Sequence, residues 1–196
     1  MKELGKKNTE IKLLESGRIL FWKYGFRKVS VEEICQNAGV SKMTFYRYFE
    51  SKTKFAKQIL DHTVEEAMTR FQGIMDSDLS TEDKLHRIIL MKMEGTANIS
   101  REFIEDIYGS RGEELQHYMM QLTGKTAGMI IETFRQAQKK GFFRKDFKPE
   151  MLIAMSMKMR DLLTDEHLNS LYSNVNEMIV EITRILTCGI ASGKEN

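Results

Sequence analysis

The sequence predicts an all-α protein. A single proline among 196 residues leaves long stretches free of helix breakers. No segment alternates apolar and polar residues at period two between turn signals. Serines and glycines instead recur in the arrangements that open and close helices. These observations give an expectation of about nine helices and no sheet.

Taken in order, residues 10–24 carry Ile11, Leu14, Ile19, Leu20, Phe21 and Trp22 at spacings compatible with one broad buried stripe. Gly25 can stop that helix by adopting a left-handed conformation. Ser30-Val31-Glu32-Glu33 reads as a capping box, opening a short helix that turns Val31, Ile34 and Cys35 to one side. It ends near Asn37-Ala38, Gly39 supplies a tight turn, and Ser41 caps the next helix. Ser51 caps the one after. Ser80 with Asp83, Ser100 before Arg101-Glu102, and Ser110 with Glu113 mark three further starts. Pro149-Glu150 suits a first helical turn, where a missing N–H costs nothing.

Composition excludes several classes. The longest apolar runs are a few residues, as at Ile88 to Met91, so no span of a membrane is expected. The first residues lack the apolar stretch of a secretory signal, which leaves a cytosolic protein as the plain reading. Cys35 and Cys188 lie far apart, and His62, His86, His117 and His167 are scattered, so neither a disulfide framework nor a metal site is expected. No phosphate-binding glycine loop or nucleophile elbow is present, and neither an enzyme nor a cofactor is expected. The 14 methionines read as core filler, or as the lining of an adaptable apolar pocket. Charge is unevenly spread: residues 1–60 hold 13 Lys and Arg against 6 Asp and Glu, while residues 61–196 hold 17 against 22. A basic first third fits a nucleic-acid-binding end or a merely solvated cationic face.

The segment AGVSKMTFYRYFESK, residues 38–52, decides between them. In a helix running from Ser41, Phe45 and Phe49 are four apart and stack on one side, able to close onto Val31, Ile34 and Val40. Met43, Thr44 and Arg47 point away, with Lys42 and Tyr46 flanking the seam. Two short helices joined by a glycine turn, the second with an aromatic back and a polar, cationic front, make a helix-turn-helix. In that motif the second helix enters the major groove of double-stranded DNA.

Residues 17–60 resemble the DNA-binding region of the TetR family of bacterial transcriptional regulators. The resemblance rests on Phe21, Gly25-Phe26, Ser30-Val31, Ile34, Ala38-Gly39-Val40-Ser41, Thr44, Tyr46, Tyr48-Phe49 and Ser51-Lys52. Cys35, Met43, Phe45 and Phe55 depart from the usual pattern; only Met43 faces the groove, where it bears on base preference. The resemblance implies that Ser30 meets a phosphate and that Lys42 and Thr44 reach base edges or nearby phosphates. It implies backbone contacts from Tyr46 and Tyr48 and a phosphate clamp at Lys52. Arg47, at a variable position, is the candidate for reading a guanine.

Beyond this region the sequence carries no comparable motif, although residues 134–152 are similar to the family's link before its penultimate helix. The last helix repeats Val175, Ile179, Ile182, Leu186 and Gly189, with a parallel stripe at Met178, Ile185 and Ile190. Leu152, Met155, Met159, Leu162 and Leu163 give the preceding helix a matching stripe. Periodicity alone allows both to close the chain's own core; the resemblance implies a homodimer built on these two helices.

The expectation is an N-terminal three-helix helix-turn-helix domain over residues 1–50, followed by a helical ligand-binding and dimerisation domain over 51–196. By resemblance the protein is a repressor that binds a palindromic operator as a dimer and is released by a small-molecule effector. No residue is assigned to the effector's pocket. The alternatives are an activator or architectural protein of the same family, or a helical protein–protein module that has lost DNA binding.

Overall fold

The computed structural model describes residues 2–109 and 113–188. Among them, ten α-helices and one 3-10 helix account for the regular structure, and no β-strand is present. The helices are α1 (Lys2–Tyr24), α2 (Val31–Ala38), α3 (Lys42–Tyr48), α4 (Lys52–Asp76) and α5 (Thr81–Gly95). They continue with α6 (Arg101–Tyr108), α7 (Glu113–Lys139), α8 (Pro149–Lys158), α9 (Glu166–Ser170) and α10 (Val175–Cys188).

The serine signals act as the sequence implies. The backbone N–H of Glu33 donates to Ser30 Oγ at 3.2 Å, while Ser30 N–H donates to the Glu33 carboxylate at 2.7 Å, completing the capping box. Ser41, Ser51, Ser80 and Ser100 accept from the N–H groups of Thr44, Lys54, Asp83 and Phe103 at 3.1–3.2 Å. Pro149 occupies the first turn of α8. Ser110, the remaining expected start, lies outside the described residues, as do Gly189 and Ile190.

The chain divides into two compact units: Met1–Thr63 with Asn98–Met119, and Val64–Ala97 with Met120–Asn196. The sequence draws its boundary after the helix-turn-helix; compactness draws it within α4, and returns α6 to the N-terminal unit.

The N-terminal unit is built on aromatic packing. Phe55 is fully buried, with its ring centroid 5.9 Å from Phe21, 5.0 Å from Phe45 and 4.6 Å from Phe49. The α1 stripe differs from expectation. Ile11 and Ile19 are 45% and 57% exposed, while Leu13, Ser16 and Gly17 turn inward with Phe21 and Trp22. The reason is close helix packing: a Cβ at Gly17 would lie 2.4 Å from the Phe55 ring and 2.8 Å from Ile59. A small residue sits inside because α4 presses against it. On the other side of α1, the N–H of Ser100 donates to the Trp22 carbonyl at 2.8 Å, and Phe103 packs on the Trp22 ring at 4.3 Å. These contacts dock α6.

In the second unit a core forms from Phe71, Met75, Leu85, Ile88, Met91, Phe134, Ala137 and Phe143. A fully buried lysine sits beside it. Lys84 Nζ donates to the carbonyls of Ile74, Met75 and Ser77 at 3.1, 2.9 and 2.5 Å, and stands 4.6 Å from the centre of the Phe142 ring. A cation thereby satisfies carbonyls that the end of α4 leaves without intrahelical partners. Burial pushes the Lys84 pKa down.

Two expectations for the C-terminal helices need correction. Met159, Leu162 and Leu163 do not continue one stripe with Leu152 and Met155, because α8 stops at Lys158 and residues Met159–Thr164 form the 3-10 helix. Asp165 then caps α9, accepting from Leu168 N–H at 2.8 Å. Val175 and Met178 are each 2% exposed and belong to the face of α10 that packs on α5, so they have no surface to give a second chain. Their burial is local: Asn176, between them in sequence, donates to the Met93 carbonyl at 2.9 Å and to Thr96 Oγ1 at 2.7 Å.

Candidate nucleic-acid interface

α2 and α3 are short, and neither would persist alone in water. They are held by caps, by the turn between them and by what lies behind. Gly39 adopts φ 67°, and the N–H groups of Gly39 and Val40 close onto the carbonyls of Gln36 and Cys35 at 3.2 and 3.0 Å. Behind the turn, Val31, Ile34, Cys35, Phe45 and Phe49 are buried. Burial also pushes the Cys35 thiol pKa up, as suits a packing residue rather than a reactive one.

The entry to α2 is fixed equally firmly. Gly25 takes φ 84°, and its N–H donates to Phe21 at 2.8 Å. Any Cβ at Gly25 would stand 2.8 Å from a carboxylate oxygen of Asp106, so both the dihedral and the space call for glycine. Asp106 itself, 3% exposed, accepts from the Arg27 backbone N–H at 3.1 Å and from its guanidinium.

The front of α3 is open. Lys42, Met43, Tyr46 and Arg47 are exposed, and Thr44 is half-buried. Lys42 is paired with Glu32 across the turn; the contact raises the lysine pKa and lowers that of the carboxyl. Thr44 Oγ1 lies 2.9 Å from Ser41 Oγ and accepts from the Arg47 guanidinium at 3.2 Å. Tyr46 is 50% exposed, with its ring edge-on to Phe45 at 5.3 Å. Tyr48 is half-buried near Phe49, ring centroids 6.2 Å apart.

Two of the expected phosphate residues are already engaged within the chain. The Ser30 hydroxyl donates to the Glu33 carboxylate at 2.7 Å, and that bonding lowers the Glu33 pKa. Lys52 Nζ donates to the carbonyls of Phe26 and Val29 at 2.7 and 2.8 Å and sits 4.4 Å from the centre of the Phe26 ring. Desolvation lowers its pKa. An ammonium has three donors, and Lys52 uses two of them to tie α4 to the α1–α2 turn. Sequence reading missed this second job, because a carbonyl partner leaves no signature in residue type.

A three-helix unit with a rigid aromatic back and a cationic, polar front on its last helix defines a helix-turn-helix DNA-binding protein of the transcriptional-regulator class. Residues 13–59 match the model of the bacterial regulatory proteins of the tetR family. The chain is 25% identical over 193 residues to the uncharacterized HTH-type transcriptional regulator YdgC of Bacillus subtilis, covering 97% of this chain and 96% of that one. It is 21% identical over 145 residues to the HTH-type transcriptional repressor KstR2 of Mycobacterium tuberculosis, covering 71% and 72%. In fold it is similar to the regulator FadR of Bacillus subtilis, solved in complex with stearoyl-CoA, with a TM-score of 0.65 at 15% identity over 92% of this chain and 98% of that one. Residues 13–59 thus carry the DNA-binding region of the tetR family, and the curated relatives that align beyond it are transcriptional regulators.

Proposed function

We propose that the protein is a ligand-released repressor that grips a palindromic operator as a homodimer. The observation that carries this reading is the front of α3, where Met43, Tyr46 and Arg47 stand in solvent on a helix whose other side is locked by Phe45 and Phe49. A reading helix needs that rigidity, because base contacts demand fixed side-chain positions. In the proposed complex Arg47 and Thr44 meet base edges, Lys42 meets a base edge or a phosphate after leaving Glu32, and Tyr46 and Tyr48 donate to the DNA backbone. Lys52 and the N-terminus of α2 at Ser30 contribute phosphate contacts.

Homodimerisation is supported by apolar side chains that the single chain leaves in water: Met155 at 43%, Leu162 at 36% and Ile185 at 59% exposure. Leu152, Met159, Ile179, Ile182 and Leu186 are half-buried and offer further apolar area. Two reading helices at fixed separation would match an operator with two-fold symmetry. The stearoyl-CoA complex of FadR supports a small-molecule effector for a fold of this kind. Such a ligand acts only through its different affinity for the DNA-competent and released states.

The test is transcription from a promoter carrying a site selected from random duplex DNA. Addition of protein is expected to lower transcript, and a ligand found by screening acyl-CoA thioesters and other apolar small molecules to restore it. A rise in transcript on adding protein would overturn the repressor reading. Operator affinity unchanged by every compound would overturn ligand release.

A further inference from the structure

We propose that Met43 reads the 5-methyl group of a pyrimidine in the major groove, and so sets a thymine preference within each half-site. This rests on α3 being the helix that enters the groove. Met43 is the second residue of α3, in the first turn, where a reading helix meets base edges. At 82% exposure it is the most exposed large apolar side chain among the described residues.

Its neighbours on that turn are polar groups already engaged within the protein. Lys42 is paired with Glu32, and Thr44 is bonded to Ser41 and Arg47. The apolar side chain is thus the part of this turn that has exposed surface and no polar bond to give up. Within the major groove, hydrogen-bond donors and acceptors are found on every base pair, but the 5-methyl of thymine is the apolar feature. A flexible thioether side chain can settle on that methyl group without needing an exact angle of approach. Removing water from both surfaces is the driving force, and one methyl group corresponds to about fourfold in affinity per half-site.

The experiment uses the full-length protein and a duplex enriched from random DNA. Each thymine is replaced in turn by deoxyuridine, which deletes the methyl group and keeps every hydrogen bond. The expected result is one thymine per half-site whose replacement weakens binding about fourfold, and no loss at that position for Met43→Ala. Met43→Ala should itself bind the thymine duplex as weakly as the unaltered protein binds the deoxyuridine duplex. Helix content by circular dichroism is expected to be unchanged, since the side chain is 82% exposed. If no thymine is sensitive, or the sensitivity persists in Met43→Ala, the proposal is overturned and a methyl contact, if any, belongs to Thr44 or Tyr46. Failure of the DNA-binding reading looks different: no sequence is enriched from the random pool, and the proposal falls with it.

Discussion

The two compact units bury their apolar residues by different means. In the N-terminal unit four phenylalanines, at positions 21, 45, 49 and 55, make one interlocked cluster, and short helices are pinned at nearly every end by serine, glycine or a charged side chain. In the second unit the core mixes Phe71, Phe134 and Phe143 with Met75, Leu85, Ile88 and Met91, and it leaves Met120, Met129 and Met151 in solvent as the first unit leaves Ile19 and Met43. The contrast suits the division of labour. A surface that reads base edges must hold one geometry, whereas a unit proposed to accept an effector and a second chain is suited by the adaptable methionines in its core.

The largest expected effect breaks the aromatic cluster. Phe55→Ala removes the ring shared by Phe21, Phe45 and Phe49 and is expected to cost about 3–5 kcal/mol, read as a lower urea midpoint. Retention of full stability would show that the N-terminal unit does not depend on that packing.

In the second unit the corresponding change is Lys84→Met. It fills similar volume but leaves the carbonyls of Met75 and Ser77 without their donor, while Ile74 keeps the Ser77 hydroxyl at 2.6 Å, and is expected to cost about 2–3 kcal/mol. Thermal unfolding checks it, and an unchanged midpoint would show that water serves those carbonyls equally well.

A smaller effect on stability, but a large one on assembly, is expected from Ile185→Glu. The side chain is 59% exposed, so the fold should change by no more than about 0.5 kcal/mol. Sedimentation should nonetheless show a shift toward monomer, because a carboxylate would be buried without a partner in the proposed interface.

The smallest effect is confined to alkaline pH. Tyr118 donates to Asp61 at 2.6 Å, and burial together with that carboxylate pushes its pKa up to about 12, from 10 in an exposed tyrosine. A raised folded pKa contributes stability below the unfolded value and loses it as pH climbs through the folded one. Thermal midpoints measured between pH 10 and 12 should therefore fall more steeply for the unaltered protein than for Tyr118→Phe. Parallel curves would remove the bond from the account.

Much of the N-terminal unit was legible because its signals are local. A serine at a helix start followed three residues later by glutamate, or a glycine where φ is positive, is specified within one turn of chain. The misread features depend on a partner distant in sequence. Ser16 and Gly17 look like a polar gap in the α1 stripe until Phe55 and Ile59 are brought against them. Lys84 carries no sequence signal of its role, which exists only once the end of α4 lies beside it. Val175 and Met178 share periodicity with Ile182 and Leu186, and nothing in a period says that α5 occupies one side of the stripe. The break after Lys158 had a signal that could have been read, the capping Asp165 ahead of Leu168.

The central claim is that the rigid front of α3 selects a DNA sequence. Its most direct test is fluorescence anisotropy of an enriched duplex and its scrambled counterpart across a salt series, with the unaltered protein and Arg47→Ala. The account predicts tighter binding to the enriched duplex at every salt concentration, with a log–log slope of about −0.9 for each phosphate neutralised. For Arg47→Ala it predicts a loss of preference worth about 1–3 kcal/mol. Equal binding of both duplexes by the unaltered protein would contradict it.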